Sequence, residues 1–247
     1  MKNRNIKSVT DHDMDSIPEE KLIDDLYKFL SKLHKQLSDL QLVKQERLKI
    51  KSLEIMRDVS GFTVERVQSV LPTGGLGVKV TSGFVPVGSI TSLYPGLIYE
   101  SHEPIFFQSI GNSFIFRCAD GLLIDGNDRG LSKSLYKSCR GRDSCWPMPA
   151  CDDSWLKPEL ICPLNIGQYV NNHNKQYPAN VAYQELDIPD SFPAHLRQYL
   201  PNNFYSPSLN VSEGMQRYKL LRVVALVSVK EIKSGEELFS SYFTLVR

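Results

Sequence analysis

Hydrophobic residues are spaced in two different ways along this chain, and the change falls near residue 60. From residue 22 the leucines Leu22, Leu26, Leu30, Leu33, Leu37 and Leu40 recur at steps of three and four, which sets them on one stripe of a helix. Ser16-Ile17-Pro18-Glu19 predicts its start, with Ser16 as N-cap, proline in the first turn and Glu19 at the capping-box position. The stripe weakens through the charged stretch 44–51, which reads as a solvated helix face. One apolar face needs a cover. Either the main domain or a second helix of the same arm supplies it, or residues 22–40 take a helical partner from another chain.

From Phe62 the pattern turns to short runs of β-branched and aromatic residues broken by Gly, Pro and Asn: 63–67, 77–80, 114–116 and 122–124. Residues 222–229 form the clearest buried strand, followed by a turn at Ser234-Gly235. Residues 131–163 show no sustained period and read as an irregular insertion, as does the stretch around 201–212; a short turn of helix is expected near 194–200. Scarce helical periodicity argues against a wound α/β sheet. The expected organisation is a helical N-terminal arm over 1–60 and a mainly β domain over 61–247, with the insertion at about 131–163.

Composition adds bounds. The chain has 247 residues, 41% of them hydrophobic, which is enough for a sizeable core. With 29 basic against 28 acidic residues the net charge is +1, so no global field draws it to nucleic acid. The longest apolar run, 220–229, is too short to span a bilayer and contains Arg222. No basic-then-apolar leader opens the sequence, so an intracellular protein, nuclear or cytoplasmic, is expected. Five cysteines fit reduced thiols. Cys139, Cys145, Cys151 and Cys162 include no Cys-x-x-Cys pair, so no metal site is expected.

Three clusters could carry chemistry. Thr73-Gly74-Gly75-Leu76-Gly77 is followed by an alternating strand and has no Lys-Ser/Thr pair, which excludes a P-loop and leaves a tight turn of close backbone approach. Gln168 to Asn174, followed by Pro178-Ala179-Asn180, is dense in side-chain amides that commonly satisfy local backbone; His173 has no second ligand at metal spacing. Gly235-Glu236-Glu237-Leu238 through Tyr242 closes the chain's last strand region. No Gly-x-Ser-x-Gly elbow or His-Glu-x-x-His helix is present, so hydrolase and zinc-peptidase readings lack a motif.

In this order, over roughly 62–243, the clusters resemble the SET-domain family of protein lysine methyltransferases. Gly75-Leu76-Gly77, with Ile90 and Tyr94-Pro95-Gly96 after it, is similar to that family's opening glycine loop and strand pair. Asn172-His173 with Ala179-Asn180 is similar to its Asn-His-Ser-Cys-x-x-Pro-Asn segment, and 235–242 to its closing Gly-Glu-Glu-Leu-x-x-x-Tyr. The resemblance implies small β-sheets around a pseudoknot, S-adenosylmethionine as cofactor, and a protein substrate with a target lysine. It implies cofactor contacts from Gly75, Leu76, Gly77, Asn172, His173 and Tyr242, a catalytic role for Tyr242, and a substrate channel walled by a tyrosine, Tyr94 first, with Tyr169 and Tyr183 as further candidates. Departures stand at Asn174, at Gln168 where a basic residue is usual, and at Ser240-Ser241 where the family has an aromatic-acidic pair. They leave open a second reading, a SET-like module that binds cofactor or peptide without turnover. Many relatives close the channel with a cysteine-rich segment after the tyrosine; here the arm, the insertion or a partner is expected to serve.

Overall fold

A computed structural model describes residues 17–38, 45–145, 147–206, 209–212, 215–218 and 220–246. In chain order the elements are α1 (Glu19–Ser38), α2 (Gln45–Ser60), β1 (Phe62–Gln68), β2 (Leu76–Val85), β3 (Ile90–Tyr94), β4 (Gly96–Tyr99), α3 (Phe106–Ser109), β5 (Ile115–Arg117), β6 (Leu123–Asp125) and α4 (Gly130–Asp143). There follow β7 (Asn171–Asn172), β8 (Val181–Ile188), α5 (Ala194–Arg197), β9 (Asn202–Phe204), β10 (Leu209–Ser212), β11 (Met215–Tyr218), β12 (Leu221–Ser228), β13 (Ile232–Lys233) and β14 (Phe239–Val246). The strands form small sheets: β1-β2-β13, β5-β6-β4-β9, the hairpin β10-β11, and the central β3-β12-β8-β14-β7.

The central sheet holds the topological key. β14 runs parallel to both neighbours, pairing Phe239 and Ser240 with Asn171 and Asn172 of β7 on one side and Ser240 with Val181 of β8 on the other. β7 and β8 are joined by the loop 173–180, so the last strand passes between the two ends of a loop laid down about sixty residues earlier. Asn180 secures the passage: its Nδ2 donates to Glu237 O at 2.8 Å and its Oδ1 accepts from Phe239 N at 2.8 Å. Threading of this kind is rare among folds, because a chain end must find its place inside formed structure. It gives the small-sheet pseudoknot that the resemblance implies.

Packing explains the strands. β3 is buried throughout, and the last six residues of β12 are buried between β3 and β8, which is why residues 222–229 read as continuous apolar sequence. The arm belongs to the same core. Leu22, Leu26, Leu30 and Leu33 are each at most 1% exposed and share one cluster with Leu93, Tyr183 and Leu226. Each such burial contributes roughly 1.5–3 kcal/mol before entropy is counted. The arm's start is pinned to β8 by Gln184 Nε2 donating to Ile17 O at 2.7 Å and Asp187 N donating to Glu19 Oε1 at 2.7 Å. The stripe offered to a helical partner over 22–40 is therefore covered from within the chain as far as Leu33; Ser16 and Leu40 lie outside the described residues.

Two regions expected to be irregular contain regular structure. α4 occupies the first half of the insertion, and its buried positions, Ser132, Tyr136 and Cys139, do have helical spacing. Their period is faint in the sequence because Ser132 is polar, and because Tyr136 is held by a hydroxyl within hydrogen-bond distance of Asp152 O (2.6 Å) and Pro201 O (2.9 Å). β9 sits in the second region and pairs in parallel with β4. Its Asn202 is buried because its Nδ2 donates to Tyr94 O at 3.0 Å, a contact that no local pattern announces.

Candidate active site

The glycine loop connects β1 to β2. Gln68 pairs with Leu76 at the hairpin's end, and the turn between them is closed by Ser69 N donating to Gly75 O at 2.9 Å and Gly74 N to Leu71 O at 3.0 Å. Gly75 has φ +61°, a conformation that side chains resist, and the space where its Cβ would stand is open. Gly77 differs. A Cβ there would lie 2.2 Å from Glu237 Oε1, so the position is glycine because a carboxylate already fills the room.

The amide segment follows a 3-10 turn at Gly167–Tyr169, where Gly167 fits against Leu93 O and Leu226 with no room for a Cβ. Of the expected pair, Asn172 is the register partner of Ser240, and His173 N donates to Ser240 O at 2.9 Å while its ring is exposed. Both therefore touch the closing strand through backbone. The amide that reaches the glycine loop is the residue before them. Asn171 Nδ2 donates to Leu76 O at 3.0 Å and to Glu237 Oε1 at 3.2 Å. Nothing in the run Asn171-Asn172 distinguishes the two; strand alternation, which sends successive side chains to opposite faces, does.

The closing segment runs alongside β2, with Val80 N donating to Glu236 O and Leu238 N to Val78 O at 2.9 and 2.7 Å. It then enters β14. Between Ser240, paired with Val181, and Leu245, paired with Tyr183, the strand carries three more residues than its neighbour, and Tyr242 falls in this bulge. The Tyr242 side chain lies outside the described residues. Ser240 Oγ, fully buried, donates to Tyr183 Oη at 3.0 Å. Tyr183 packs with Phe116 and Tyr94 at ring-centroid distances of 5.0 and 6.3 Å, and Tyr94 donates its hydroxyl to Phe114 O at 2.8 Å. Tyr94, Phe116 and Tyr183 thus form one buried aromatic cluster that Tyr183 joins to the closing strand, while Tyr177 stacks on Phe239 of the same strand at 5.2 Å. Tyr169 is engaged elsewhere: it donates to Asp128 Oδ2 at 2.6 Å and accepts from Arg66 Nη1 at 3.2 Å, and burial pushes its phenol up to about 12.

Gln168 adds an unsatisfied pair of polar atoms. It is 3% exposed, its Oε1 and Nε2 have no partner among the described residues, and a Cβ built on Gly126 would lie 2.9 Å from Tyr94 Cε1 and 3.3 Å from Gln168 Cβ. Leaving such groups dry costs about 1–3 kcal/mol, so a buried amide of this kind marks a place where something polar belongs.

Two other features fall away from this centre. A groove of about 1000 Å³ lies between α1 and the segment 187–193 and touches none of the three motifs. Cys118, Asp120 and Glu185 are close enough to hold a metal ion, but Arg222 already neutralises the carboxylates, donating to Asp120 at 3.0 Å and to Glu185. In the insertion, Cys139 Sγ lies 3.7 Å from Tyr205 O, Cys151 Sγ accepts from Tyr136 Oη at 3.2 Å, Cys162 is buried and Cys145 is exposed. Among the described residues no helix is long and apolar enough to cross a membrane.

No family model matches the sequence. Curated relatives do. SET domain-containing protein 9 of Pongo abelii is 50% identical over 202 residues, covering 82% of this chain and 71% of the relative. The Homo sapiens protein of that name is 50% identical over 202 residues, and the match spans 65% of its length, just under two thirds. Among solved structures, ctPRC2 in an autoinhibited conformation bound to S-adenosylmethionine aligns with a TM-score of 0.39 at 13% identity, over 76% of this chain and 16% of that one. Half of the aligned residues are shared across four-fifths of the chain: the chain belongs to the SET domain-containing protein 9 family.

Proposed function

We propose that this chain is an S-adenosylmethionine-dependent methyltransferase that acts on lysine side chains of another protein. One observation carries the reading. The threaded strand β14 brings together the backbone of Gly75, Leu76 and Gly77, the amide strand with Asn171, Asn172 and His173, and the bulge that contains Tyr242. The unpartnered buried amide of Gln168 fits a polar ligand.

When bound, S-adenosylmethionine supplies an electrophilic methyl group. The residues of this chain do the rest. The glycine-loop backbone would hold the amino-acid end, and Asn172 and His173 would hold the adenosine through groups other than His173 N, which donates to Ser240 O. Tyr242 would align the acceptor amine. A free lysine has a pKa of roughly 10.4, and attack needs the neutral amine. An apolar channel beside the positively charged sulfonium disfavours the ammonium and so assists proton loss. Positioning then supplies much of the rate.

Transfer of tritiated methyl from S-adenosylmethionine to lysate proteins tests this. The wild type should label a protein band at lysine, and Tyr242→Phe should lower labelling while calorimetry with S-adenosylhomocysteine stays nearly unchanged. Undiminished labelling by Tyr242→Phe removes Tyr242 from the mechanism. The second reading, a binding module without turnover, is favoured by Ser240-Ser241 in place of the aromatic-acidic pair, and predicts S-adenosylhomocysteine binding with no labelling.

A further inference from the structure

Glu237 is a buried acid with no cationic partner among the described residues. It is 6% exposed, and its carboxylate is satisfied entirely by neutral donors: Ser69 Oγ at 2.7 Å and Asn171 Nδ2 at 3.2 Å on Oε1, and Val70 N at 2.8 Å on Oε2. An ion in such surroundings is costly unless every lone pair has a use. Here each donor belongs to a segment of the proposed cofactor site. Ser69 and Val70 begin the glycine loop, and Ser69 Oγ in turn accepts from Leu71 N at 3.0 Å. Asn171 holds the loop's other end through Leu76 O at 3.0 Å. Gly77 leaves the space that the carboxylate fills, 2.2 Å from where a Cβ would be. One side chain of the threaded segment therefore clips both ends of the loop.

We propose that Glu237 is a positioning residue, which fixes the glycine loop in its ligand-holding shape and makes that shape conditional on the closing segment being threaded. The proposal rests on the functional reading above for its ligand, not for its geometry. It also assigns Gly77 a different purpose from Gly75: Gly75 provides the positive φ of the turn and leaves open space, whereas Gly77 accommodates Glu237.

The test is a pair of measurements on the full chain. Glu237→Gln keeps the shape but sets an NH2 group or a weaker acceptor against donors. It should raise the S-adenosylhomocysteine Kd on the order of tenfold or more, the range for a lost hydrogen bond to a charged group. Amide exchange should accelerate at Val70 and Leu71. Leu30→Ala, which loosens the arm, should lower the Tm without either effect. In a double-mutant cycle read by urea unfolding, Gly77→Ala should cost much less in a Glu237→Ala background than in the wild type, because the clash is gone. Additive effects of Gly77→Ala and Glu237→Ala, or unaltered exchange at 70–71 in Glu237→Gln, would overturn the proposal. Failure of the wild type to bind S-adenosylhomocysteine sinks the functional reading alone, and the exchange and the cycle still decide the role of Glu237.

Discussion

Arg222 is the point where one substitution should do most electrostatic harm. It lies on β12 opposite Asp187 of β8, donates to both oxygens of that carboxylate from Nε and Nη2 at 2.8 and 3.3 Å, and reaches Asp120 with the same Nη2 and Glu185 with Nη1. Its side chain is 11% exposed, against 15% for Glu185, 44% for Asp187 and 47% for Asp120. Arg222→Met keeps the stem and removes the charge, which leaves three carboxylates facing one another. Removing one member of a buried pair costs about 3–5 kcal/mol, whereas exposed pairs such as those with Asp120 and Asp187 contribute at most about 1 kcal/mol each. Glu185 therefore dominates, and its partial exposure lowers the expected loss to about 2–4 kcal/mol at pH 7. The loss should depend on pH in a defined sense. Burial already holds the Glu185 carboxyl above its ordinary range, with Arg222 opposing; without the arginine it rises further. A raised carboxyl costs stability when ionised and nothing when protonated, so the deficit of Arg222→Met should shrink as pH falls from 7 toward 4.5. Urea unfolding midpoints of both proteins across that range measure it. A deficit under about 1 kcal/mol at pH 7, or one that does not vary with pH, would show that the guanidinium is not neutralising a desolvated acid.

Two further outcomes are expected. Asp152 is buried and its carboxyl is pushed up to about 6 by desolvation, against bonds from Ser154 and Asn165. Its contribution to stability should be full below about pH 4 and decline as pH rises through about 6, so Asp152→Asn should flatten that part of the Tm-against-pH curve; an unchanged slope would assign the decline to other groups. Gln168→Leu replaces two unpartnered buried polar atoms with methyl groups. The Tm should hold or rise while S-adenosylhomocysteine binding weakens, and a Tm drop with unaltered binding would mean that the amide serves packing alone.

Much of the architecture was legible because it is local. The leucine steps of α1 and the unbroken apolar run of β12 each report their own surroundings, since a helix or strand buried on one face or two must show that burial in its period. The same logic fails for α4 and β9. The buried positions of α4 are Ser132, Tyr136 and Cys139, and β9 offers only Asn202 and Phe204, too few for a period, with Asn202 held by a partner far along the chain. The three motifs could be placed in order on strands and turns, and their likeness to a family could be recognised, but not which amide of the pair Asn171-Asn172 turns to the glycine loop, nor that Tyr183 is bonded to Ser240 of the closing strand.

Residue types and their spacing thus determined by themselves that a helical arm precedes a mainly β chain with glycine, amide and acidic motifs in that order. Only the tertiary structure decided that the arm's apolar face is covered by its own domain, that Tyr183 is bonded to Ser240 of the closing strand, and that Gly77 is small on account of Glu237. The reason is physical: hydropathy records whether a side chain leaves water, while the partner it meets there depends on a strand threaded between β7 and β8, joining residues 69, 171 and 237 that no window along the chain contains together.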